Sequence, residues 1–421
     1  MSLLLATLLA CSVILTKGKA GYGPGEQDWG YVDVRPGAHI FYWLYYTTAN
    51  VSSYTDRPLV IWLQGGPGAS STGDGNFAEL GPLDLKGNKR NWSWVKDMNV
   101  MFIDSPVGSG FSYVDNTTLY TTTNKEIALD LVEMMKGFYK IHPEFETVPL
   151  HIFSQSYGAK AAAEFGLELY YATDRGELRS NITSVELGSP WISPIDSILA
   201  WGPILQGLGF VDQEGYNEIM ASANLTAQFI EEERWVLAFS QWSHTEDIVF
   251  RASHGVDFYN VLSKTSADFI DDEETPEDKL LNILMRGPVF HALGIPKNVI
   301  WGWQKDATFV KLEPEFMKPV IHIVNELLEK TPVKVSVATG NLDLICSTSG
   351  NVKWIAKLNW SGRSEYLRAA RTPISVDGIL EGYQKSGGNF TLFWINRSGH
   401  NIPADNPAAM SHVLRELTSF G

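Results

Sequence analysis

The sequence predicts an α/β protein, with a central and mostly parallel β-sheet, helices packed against it, and an inserted helical domain. Two observations predict this fold class. Through most of the 421 residues, short apolar runs alternate with helical segments, which is the pattern of parallel strands joined by helices. Between residues 193 and 303 the strand-like runs stop and helical, acidic sequence replaces them, which indicates the insertion.

The predicted strands are short apolar runs bounded by turn residues. They cover residues 30–34, 38–46, 59–64, 99–104, 148–153, 184–187, 333–338 and 389–395. Residues 125–140 repeat apolar side chains at helical spacing and are followed by His-Pro-Glu, which ends the predicted helix. The strongly acidic segment 268–278 is expected to be a solvated loop. The predicted division is a signal peptide (1–20), a first part of the core (21–192), the helical insertion (193–303) and a second part of the core (304–421).

Composition excludes several classes of protein. Apolar residues make up 44% of the chain and 14 residues are Trp, which is enough for a sizeable core. A net charge of −15 without any basic run argues against nucleic-acid binding, because nothing would offset repulsion from phosphate. No Cys/His spacing suggests zinc, and we expect neither a metal nor a cofactor. The oligomeric state is not readable from the sequence.

The N-terminus indicates the secretory pathway, either secretion or delivery to the lysosome. Residues 3–15 form an apolar core, and small residues at Gly18 and Ala20 favour cleavage after Ala20. The alternative is an uncleaved anchor, because a basic segment before the apolar core is missing. No second apolar run is long enough to span a bilayer, so no membrane association is expected after cleavage. Beyond residue 20, Cys346 is the only cysteine and is expected to be a buried structural thiol rather than a nucleophile.

N-glycosylation sequons agree with that route. The eight candidate acceptors are Asn50, Asn91, Asn116, Asn181, Asn224, Asn359, Asn389 and Asn396.

The most informative stretch surrounds Ser156. An apolar strand, residues 148–153, leads into a serine with small residues at Ser154 and Gly158, and a helical run rich in small residues follows. This is the context of a nucleophile elbow, in which a strained turn raises a serine oxygen above a sheet. A surface turn is the alternative interpretation of so short a pattern.

A second motif is the glycine-rich loop Trp62-Leu-Gln-Gly-Gly-Pro-Gly68, which follows the predicted strand 59–64. Glycine lets backbone N–H groups approach a ligand closely. The residues of a phosphate-binding or dinucleotide-binding loop are absent, so an oxyanion loop fits better, with a simple tight turn as the alternative.

Two more predicted strands end in loops that carry polar residues. Asp343 follows the strand 333–338, and His400 follows the strand 389–395. The chain order Ser156, Asp343, His400 is that of α/β-hydrolase triads and differs from the chymotrypsin and subtilisin orders. The sequence therefore predicts a Ser-Asp-His triad. Its oxyanion would be received by the backbone N–H groups of Gly66 and Tyr157.

These motifs, together with Phe102-Ile-Asp-Ser-Pro-Val-Gly-Ser-Gly-Phe-Ser112, Gly340-Asn-Leu-Asp-Leu344 and Gly399-His-Asn-Ile-Pro-Ala-Asp405, resemble those of the serine carboxypeptidases over nearly the whole mature chain. The resemblance implies an α/β-hydrolase fold, peptide substrates cut at their C-terminus, and a helical insertion that covers the active site. It also implies that the substrate carboxylate is bound by residues at the positions of Trp62, Gln64, Gly65 and Gln155.

Gln155 departs from the family, which has Glu before the nucleophile. A Glu donates to a carboxylate only when protonated, whereas Gln offers an N–H group at any pH. We therefore expect activity to fall less steeply above about pH 6 than in relatives with Glu. An esterase or acyltransferase with the same triad, and an inactive binding homologue, remain as alternatives.

Overall fold

The computed structural model describes residues 18–263, 275–302 and 306–420. Its strands form one eleven-stranded sheet. In chain order they are β1 (Gln27–Arg35), β2 (Ala38–Tyr45), β3 (Leu59–Leu63), β4 (Asn99–Ile103), β5 (Tyr113–Val114), β6 (Pro149–Gln155), β7 (Asn181–Gly188), β8 (Lys334–Gly340), β9 (Thr372–Val376), β10 (Ile379–Gly387) and β11 (Phe390–Ile395).

The spatial order of the sheet is β1-β2-β4-β3-β6-β7-β8-β11-β10-β9, with β5 paired to β2. The six strands from β4 to β11 pair in parallel, and the two edges are antiparallel. The predicted α/β fold class is confirmed, and all eight predicted strands are present. Strand β5 was missed because two residues are too few for a pattern. Strands β9 and β10 were missed because most of their residues are exposed or half-buried and give no apolar run.

The helices lie on both faces of the sheet and between β7 and β8. In chain order they are α1 (Asn124–Ile141), α2 (Tyr157–Asp174), α3 (Pro194–Leu208), α4 (Gln213–Glu231), α5 (Trp235–Ser253), α6 (Pro276–Leu284), α7 (Phe290–Ala292), α8 (Asp306–Phe316), α9 (Ile321–Lys330), α10 (Thr348–Ala356), α11 (Arg363–Arg368), α12 (Ile402–Asp405) and α13 (Pro407–Thr418). Wider π-type turns cover Ser71–Leu80 and Met285–Val289.

Each face of the sheet has its own apolar core. Alternate residues of a strand point to opposite faces, so Ile61 and Ile152 pack with α1 and α2. Val60 and Phe153 pack on the other face with α13. This two-sided burial explains why the central strands are continuous apolar runs.

Every described residue between β7 and β8 is outside a strand, and α3, α4 and α5 pack against one another there. The boundaries 193 and 303 of the helical insertion stay a prediction, as does the division of the core. The acidic segment 268–278 was predicted as a loop, which is wrong for its last three residues. They open α6, where the Thr275 hydroxyl accepts from the backbone N–H of Asp278 and the Asp278 carboxylate accepts from Thr275. Residues 268–274 lie outside the described residues.

Residues 1–17 of the predicted signal peptide lie outside the described residues. In the described part of the chain, no helix combines the length and the apolar character needed to cross a membrane.

Glu186 is an unusual residue for the middle of this sheet. It lies on β7 and is fully buried, and among the described residues no side chain hydrogen-bonds to its carboxyl group. Its side chain faces a small cavity that Trp62, Gln155 and His400 also line. Burial raises the pKa of Glu186 well above its ordinary value of 4.5, because the charged form has lost its water.

Replacing Glu186 with Gln is expected to change how stability depends on pH. Because the folded-state pKa is raised, the stabilising contribution of Glu186 is complete below about pH 4.5 and is lost as pH rises through the folded-state pKa. The wild type should therefore lose free energy of unfolding relative to Glu186→Gln by about 1.4 kcal/mol per pH unit between the two pKa values. Urea unfolding at several pH values measures this, with the exposed Glu231→Gln as control. Parallel pH curves for wild type and Glu186→Gln would contradict the expectation.

Candidate active site

Ser156 forms the sharp turn between β6 and α2. Its backbone has φ +58° and ψ −125°, a strained conformation for a residue with a side chain. Its N–H donates to the carbonyl of Gly188 at 3.0 Å, and its own carbonyl accepts from the N–H of Trp191 at 3.1 Å. The half-buried side chain is thereby placed at the carboxyl edge of the sheet. This strand–turn–helix geometry is the one expected of a nucleophile elbow.

Glycines let the elbow pack this closely. A Cβ atom on Gly158 would lie 2.4 Å from the carbonyl oxygen of Leu63, and one on Gly65 would lie 2.6 Å from the Cβ of Ser156. Both distances are too short for real carbon atoms, so only glycine fits. Ser154 is tolerated two residues before Ser156 because its hydroxyl donates to the carbonyl of Glu186 at 2.7 Å.

Asp343 and His400 meet at the same edge of the sheet. Asp343 follows β8 and His400 follows β11, and the carboxyl ends of neighbouring parallel strands lie side by side. Nδ1 of His400 is 2.8 Å from Oδ2 of Asp343, and both residues are buried. The second carboxylate oxygen of Asp343 accepts from the N–H of Cys346 at 2.9 Å. The carboxylate therefore fixes the imidazole orientation and leaves Nε2 of His400 as the atom able to exchange protons.

Cys346 lies beside this pair. Its sulfur, a carboxylate oxygen of Asp343 and a ring nitrogen of His400 are all within 4.8 Å of one another. Burial raises the pKa of the Cys346 thiol well above its ordinary value, and the nearby Ser156 hydroxyl offsets only part of that effect. A thiol that stays protonated is a poor nucleophile and a poor metal ligand. Cys346 is therefore a weaker candidate nucleophile than the half-buried Ser156.

The Ser156 hydroxyl lies against the glycine loop and contacts Cys346, the neighbour of the Asp–His pair. A Cβ atom on Gly65 would lie 3.2 Å from Oγ of Ser156, which places the hydroxyl against the glycine loop. Among the described residues, no hydrogen bond joins Oγ of Ser156 to the ring of His400. Such bonds are often long before substrate binds and shorten in the reacting complex.

The predicted oxyanion donors are the N–H groups of Gly66, the residue after Gly65 in the glycine loop, and of Tyr157, the residue after Ser156. The N–H of Tyr157 belongs to the first turn of α2, where no intrahelical acceptor is available and the helix dipole favours an anion. Gly66 has φ +107°, a conformation that favours glycine.

Of the residues predicted to bind a carboxylate, Trp62, Gln64 and Gln155 belong to one buried hydrogen-bond network. The indole N–H of Trp62 donates to Oε1 of Gln64 at 2.6 Å. Nε2 of Gln64 donates to Oε1 of Gln155 and Oε1 of Glu79, both at 2.9 Å, and lies 3.4 Å from Oδ2 of Asp74. The amides of this network therefore already have acceptors inside the protein.

Gln155 also contacts the loop that carries His400. Its Nε2 donates to the carbonyl of His400 at 3.1 Å and to Oδ1 of Asn401 at 2.6 Å. Asn401 thus completes the amide network on the side of the histidine.

Glu79 was not predicted from the sequence. It is buried, its Oε2 has no hydrogen-bond partner among the described residues, and burial together with the charge of Asp74 raises its pKa well above the ordinary value of 4.5. It therefore tends to remain a neutral acid that can donate a hydrogen bond. No local pattern marks Glu79, because Asp74 and Asn76 in the same stretch are also polar.

Tyr259 was also missed. It is 57% exposed, yet its ring lies edge-on against the imidazole of His400 with centroids 5.2 Å apart, and its carbonyl accepts from the N–H of His400 at 2.7 Å. Tyr259 follows α5, so a residue of the predicted insertion forms one wall beside His400. No local pattern marks this residue, because the contact depends on the path of the insertion.

Asp104 fixes the glycine loop from behind. Its fully buried carboxylate accepts four hydrogen bonds: from the hydroxyl of Ser70 (2.9 Å), the N–H (3.0 Å) and hydroxyl (2.7 Å) of Thr72, and the N–H of Phe111 (2.9 Å). Ser70 in turn accepts from the indole N–H of Trp301 at 3.1 Å. Asp104 therefore joins two loops of the core to a residue of the predicted insertion.

Six of the eight candidate glycosylation sites are exposed: Asn50, Asn91, Asn116, Asn181, Asn224 and Asn359. Asn396 is half-buried. Asn389 is also half-buried, and its amide donates to the carbonyls of Leu328 (3.0 Å) and Val333 (3.3 Å). A glycan on that nitrogen would break one of these bonds in the folded chain.

The chain was compared with known proteins. A sequence model of the family described as serine carboxypeptidase matches residues 19–419. Retinoid-inducible serine carboxypeptidases from Rattus norvegicus and Homo sapiens are each 38% identical to this chain over 94% of its length and 92% of theirs. Serine carboxypeptidase-like 51 from Arabidopsis thaliana is 35% identical over the same shares.

Among solved structures, the prohormone-processing carboxypeptidase Kex1 from Saccharomyces cerevisiae superposes with a TM-score of 0.83. The match covers 94% of this chain and 91% of that chain at 20% identity. It confirms the predicted α/β-hydrolase fold.

Replacing Asp104 with Asn is expected to destabilise the glycine loop. Each carboxylate oxygen accepts one backbone N–H, from Thr72 or from Phe111. Whichever way the Asn amide turns, its NH₂ group faces one of these N–H groups and leaves it buried without an acceptor, at a cost of about 1–3 kcal/mol. Urea unfolding measures the loss. Asp97→Asn, exposed at the other end of β4, is the matched control, and equal stability of the two variants would contradict the expectation.

Proposed function

This chain belongs to the serine carboxypeptidase family, which confirms the predicted enzyme class, and we propose that it removes C-terminal residues from peptides through a Ser156-Asp343-His400 triad. The observation that carries the proposal is the convergence of these three residues. They follow β6, β8 and β11 at one edge of the sheet, with Nδ1 of His400 hydrogen-bonded to Asp343.

In the first half of the reaction, Oγ of Ser156 attacks the carbonyl carbon of the last peptide bond. Nε2 of His400 accepts the hydroxyl proton, and Asp343 stabilises the imidazolium that results. The carbonyl oxygen becomes an oxyanion that the N–H groups of Gly66 and Tyr157 receive. When the C–N bond breaks, His400 returns the proton to the leaving amine, and the acyl group stays on Ser156.

In the second half, water takes the place of the departed amino acid. His400 removes a proton from the water, the resulting hydroxide attacks the acyl carbon, and the C–O bond to Ser156 breaks as His400 returns the proton to Oγ. The same two N–H groups receive the second oxyanion. No metal or cofactor takes part in this proposal.

We assign recognition of the substrate carboxylate to Trp62, Gln64, Gly65 and Gln155. The amide N–H groups of Gln64 and Gln155 already have acceptors, so one of them must turn towards the substrate on binding. Glu79, whose pKa is raised, supplies an additional donor while it is protonated.

The occupied amides also favour a second candidate function. An ester or acyl donor without a free carboxylate needs none of these N–H groups, so an esterase or acyltransferase would use the same triad with less rearrangement. Comparing rates on blocked dipeptides, their methyl esters and acyl acceptors separates the two functions.

We propose that the protein works in the secretory pathway, after loss of residues 1–20, as a secreted or lysosomal glycoprotein. The exposed sequons support this route. The buried acids Glu79 and Glu186, whose pKa values are raised, are neutral at low pH. They therefore favour stability in an acidic compartment.

Replacing Ser156 with Ala is expected to abolish labelling by a fluorophosphonate probe and to lower peptide hydrolysis by at least about 10⁴-fold, because the attacking oxygen is removed. Ser154→Ala, two residues earlier on the same strand, is the control and should still be labelled. A wild-type protein that the probe does not modify would contradict the proposal and favour an inactive binding homologue.

Replacing Gln155 with Glu is expected to make peptide hydrolysis more sensitive to alkali. An ionised Glu cannot donate to the His400 carbonyl, to Asn401 or to a substrate carboxylate, whereas Gln155 donates at every pH. The rate of Gln155→Glu on a blocked dipeptide should therefore fall increasingly below the wild-type rate as pH rises above about 6. Identical pH profiles for the two proteins would rule the idea out.

A further inference from the structure

Lys160 is a buried cation to which the proposed chemistry gives no role. It is the fourth residue of α2, one turn after Ser156, and its side chain is fully buried. A buried ammonium is costly unless hydrogen bonds replace its lost water. The hydrogen-bond partners of Lys160 therefore indicate its role.

Those partners are three backbone carbonyls at the end of α8. Nζ of Lys160 donates to the carbonyl of Glu315 at 2.5 Å, of Lys318 at 2.8 Å and of Phe316 at 3.5 Å. The last carbonyls of a helix have no intrahelical partner and carry the negative end of its dipole. An ammonium has three N–H donors for these three acceptors, whereas a neutral amine has two donors and a lone pair.

The segment that Lys160 holds, residues 315–318, packs against the turn at Ser156. The ring of Phe316 lies parallel to that of Tyr157, with an interplanar angle of 2° and centroids 5.9 Å apart. The carbonyl of Phe316 also accepts from the indole N–H of Trp191 at 3.1 Å. The backbone N–H of the same Trp191 donates to the carbonyl of Ser156, so one set of contacts connects Lys160, segment 315–318 and Ser156.

Other charged groups surround Lys160 without forming an ion pair with it. The Glu315 carboxylate pairs with Lys318 at 2.8 Å. On α2, the Glu164 carboxylate accepts from Asn124 of α1, and Lys125 of α1 pairs with Glu168. Glu315 and Glu164 stabilise the ammonium and Lys318 opposes it. The direct contacts of Lys160 are the three carbonyls and the ring of Tyr157, whose centroid is 5.3 Å from Nζ. Burial raises the pKa of the Tyr157 hydroxyl well above its ordinary value, so that group stays neutral.

We propose that Lys160 is a positioning residue for Ser156, and that its ammonium holds segment 315–318 against Tyr157 and Trp191 so that the nucleophile turn keeps its reactive geometry. This inference rests on the proposed function of Ser156. Loss of the ammonium proton removes one donor from the three carbonyls and loosens that contact.

Burial lowers the pKa of Lys160 from its ordinary value of 10.5 to about 7, so this loss falls in the neutral range. The unfolded chain keeps the proton at higher pH than the folded chain, so the contribution of Lys160 to stability rises with pH from about 7 to 10.5. The reactivity of Ser156 should therefore decrease as pH rises above about 7, a range in which deprotonation of Lys160 does not promote unfolding.

The test is the rate of Ser156 labelling by a fluorophosphonate between about pH 6 and about pH 9, for wild type, Lys160→Met and Lys125→Met. The probe has no carboxylate, so titration of the proposed carboxylate site does not affect its binding. Lys125→Met is the control, because Lys125 also contacts α2 but is half-exposed.

We expect the wild-type and Lys125→Met rates to fall about tenfold relative to the Lys160→Met rate over this pH range, and the Lys160→Met rate to be low and without an alkaline fall. All three proteins share the pH dependence of the base His400, which this comparison removes. A wild-type rate with no fall at the alkaline end of this range overturns the inference even if Lys160→Met fails to fold. The inference is also overturned if Lys160→Met is labelled as fast as the wild type at acid pH, or if its labelling rate still falls at alkaline pH. Absence of labelling in the wild type at every pH is a different result and overturns the proposed function itself.

Discussion

The structure depends on one strained turn, the positive φ of Ser156 between β6 and α2. The turn exists only where three backbone segments approach it closely. A Cβ atom on Gly65, Gly158 or Gly188 would lie between 2.4 and 2.6 Å from an atom of the Ser156 side chain, β3 or β6. Each strand is fixed in a sheet with an apolar core on both faces. The turn therefore cannot relax into a less strained backbone conformation. The same rigidity places the loops after β3, β8 and β11 around it.

Polar contacts from other segments fix the loops of the site in place. Asp104 fixes the glycine loop through Ser70 and Thr72, and Asp343 fixes His400. Trp301 reaches Ser70 and Tyr259 contacts His400, so segments between β7 and β8 support both sides of the site. Such an arrangement is expected where a rigid sheet positions short functional loops and residues of other segments fix them. It also makes the site sensitive to changes in residues that never touch substrate.

The sequence identifies those functional residues that a local sequence pattern marks. Ser156, the glycine loop, Asp343 and His400 each follow an apolar run, and chain order together with strand ends was enough to group them before any coordinates. The parallel centre of the sheet follows from the same apolar runs. Glu79, Tyr259 and Lys160 were not identified, because their surroundings are set by tertiary contacts between distant segments. Strands β9, at the edge of the sheet, and β10 were missed for a related reason: most of their residues are exposed or half-buried, so their composition resembles that of a loop.

The amide at position 155 is best understood from the acids around it. Nε2 of Gln64 already contacts Glu79 and lies near Asp74, so a Glu at position 155 would place a third carboxyl group around one amide. Carboxyl groups that close cannot all ionise. An ionised Glu at 155 would also direct an oxygen at the His400 carbonyl and at Asn401, where Gln155 now donates. The amide therefore limits negative charge where a substrate carboxylate is proposed to bind, and it keeps the His400 loop in place at every pH.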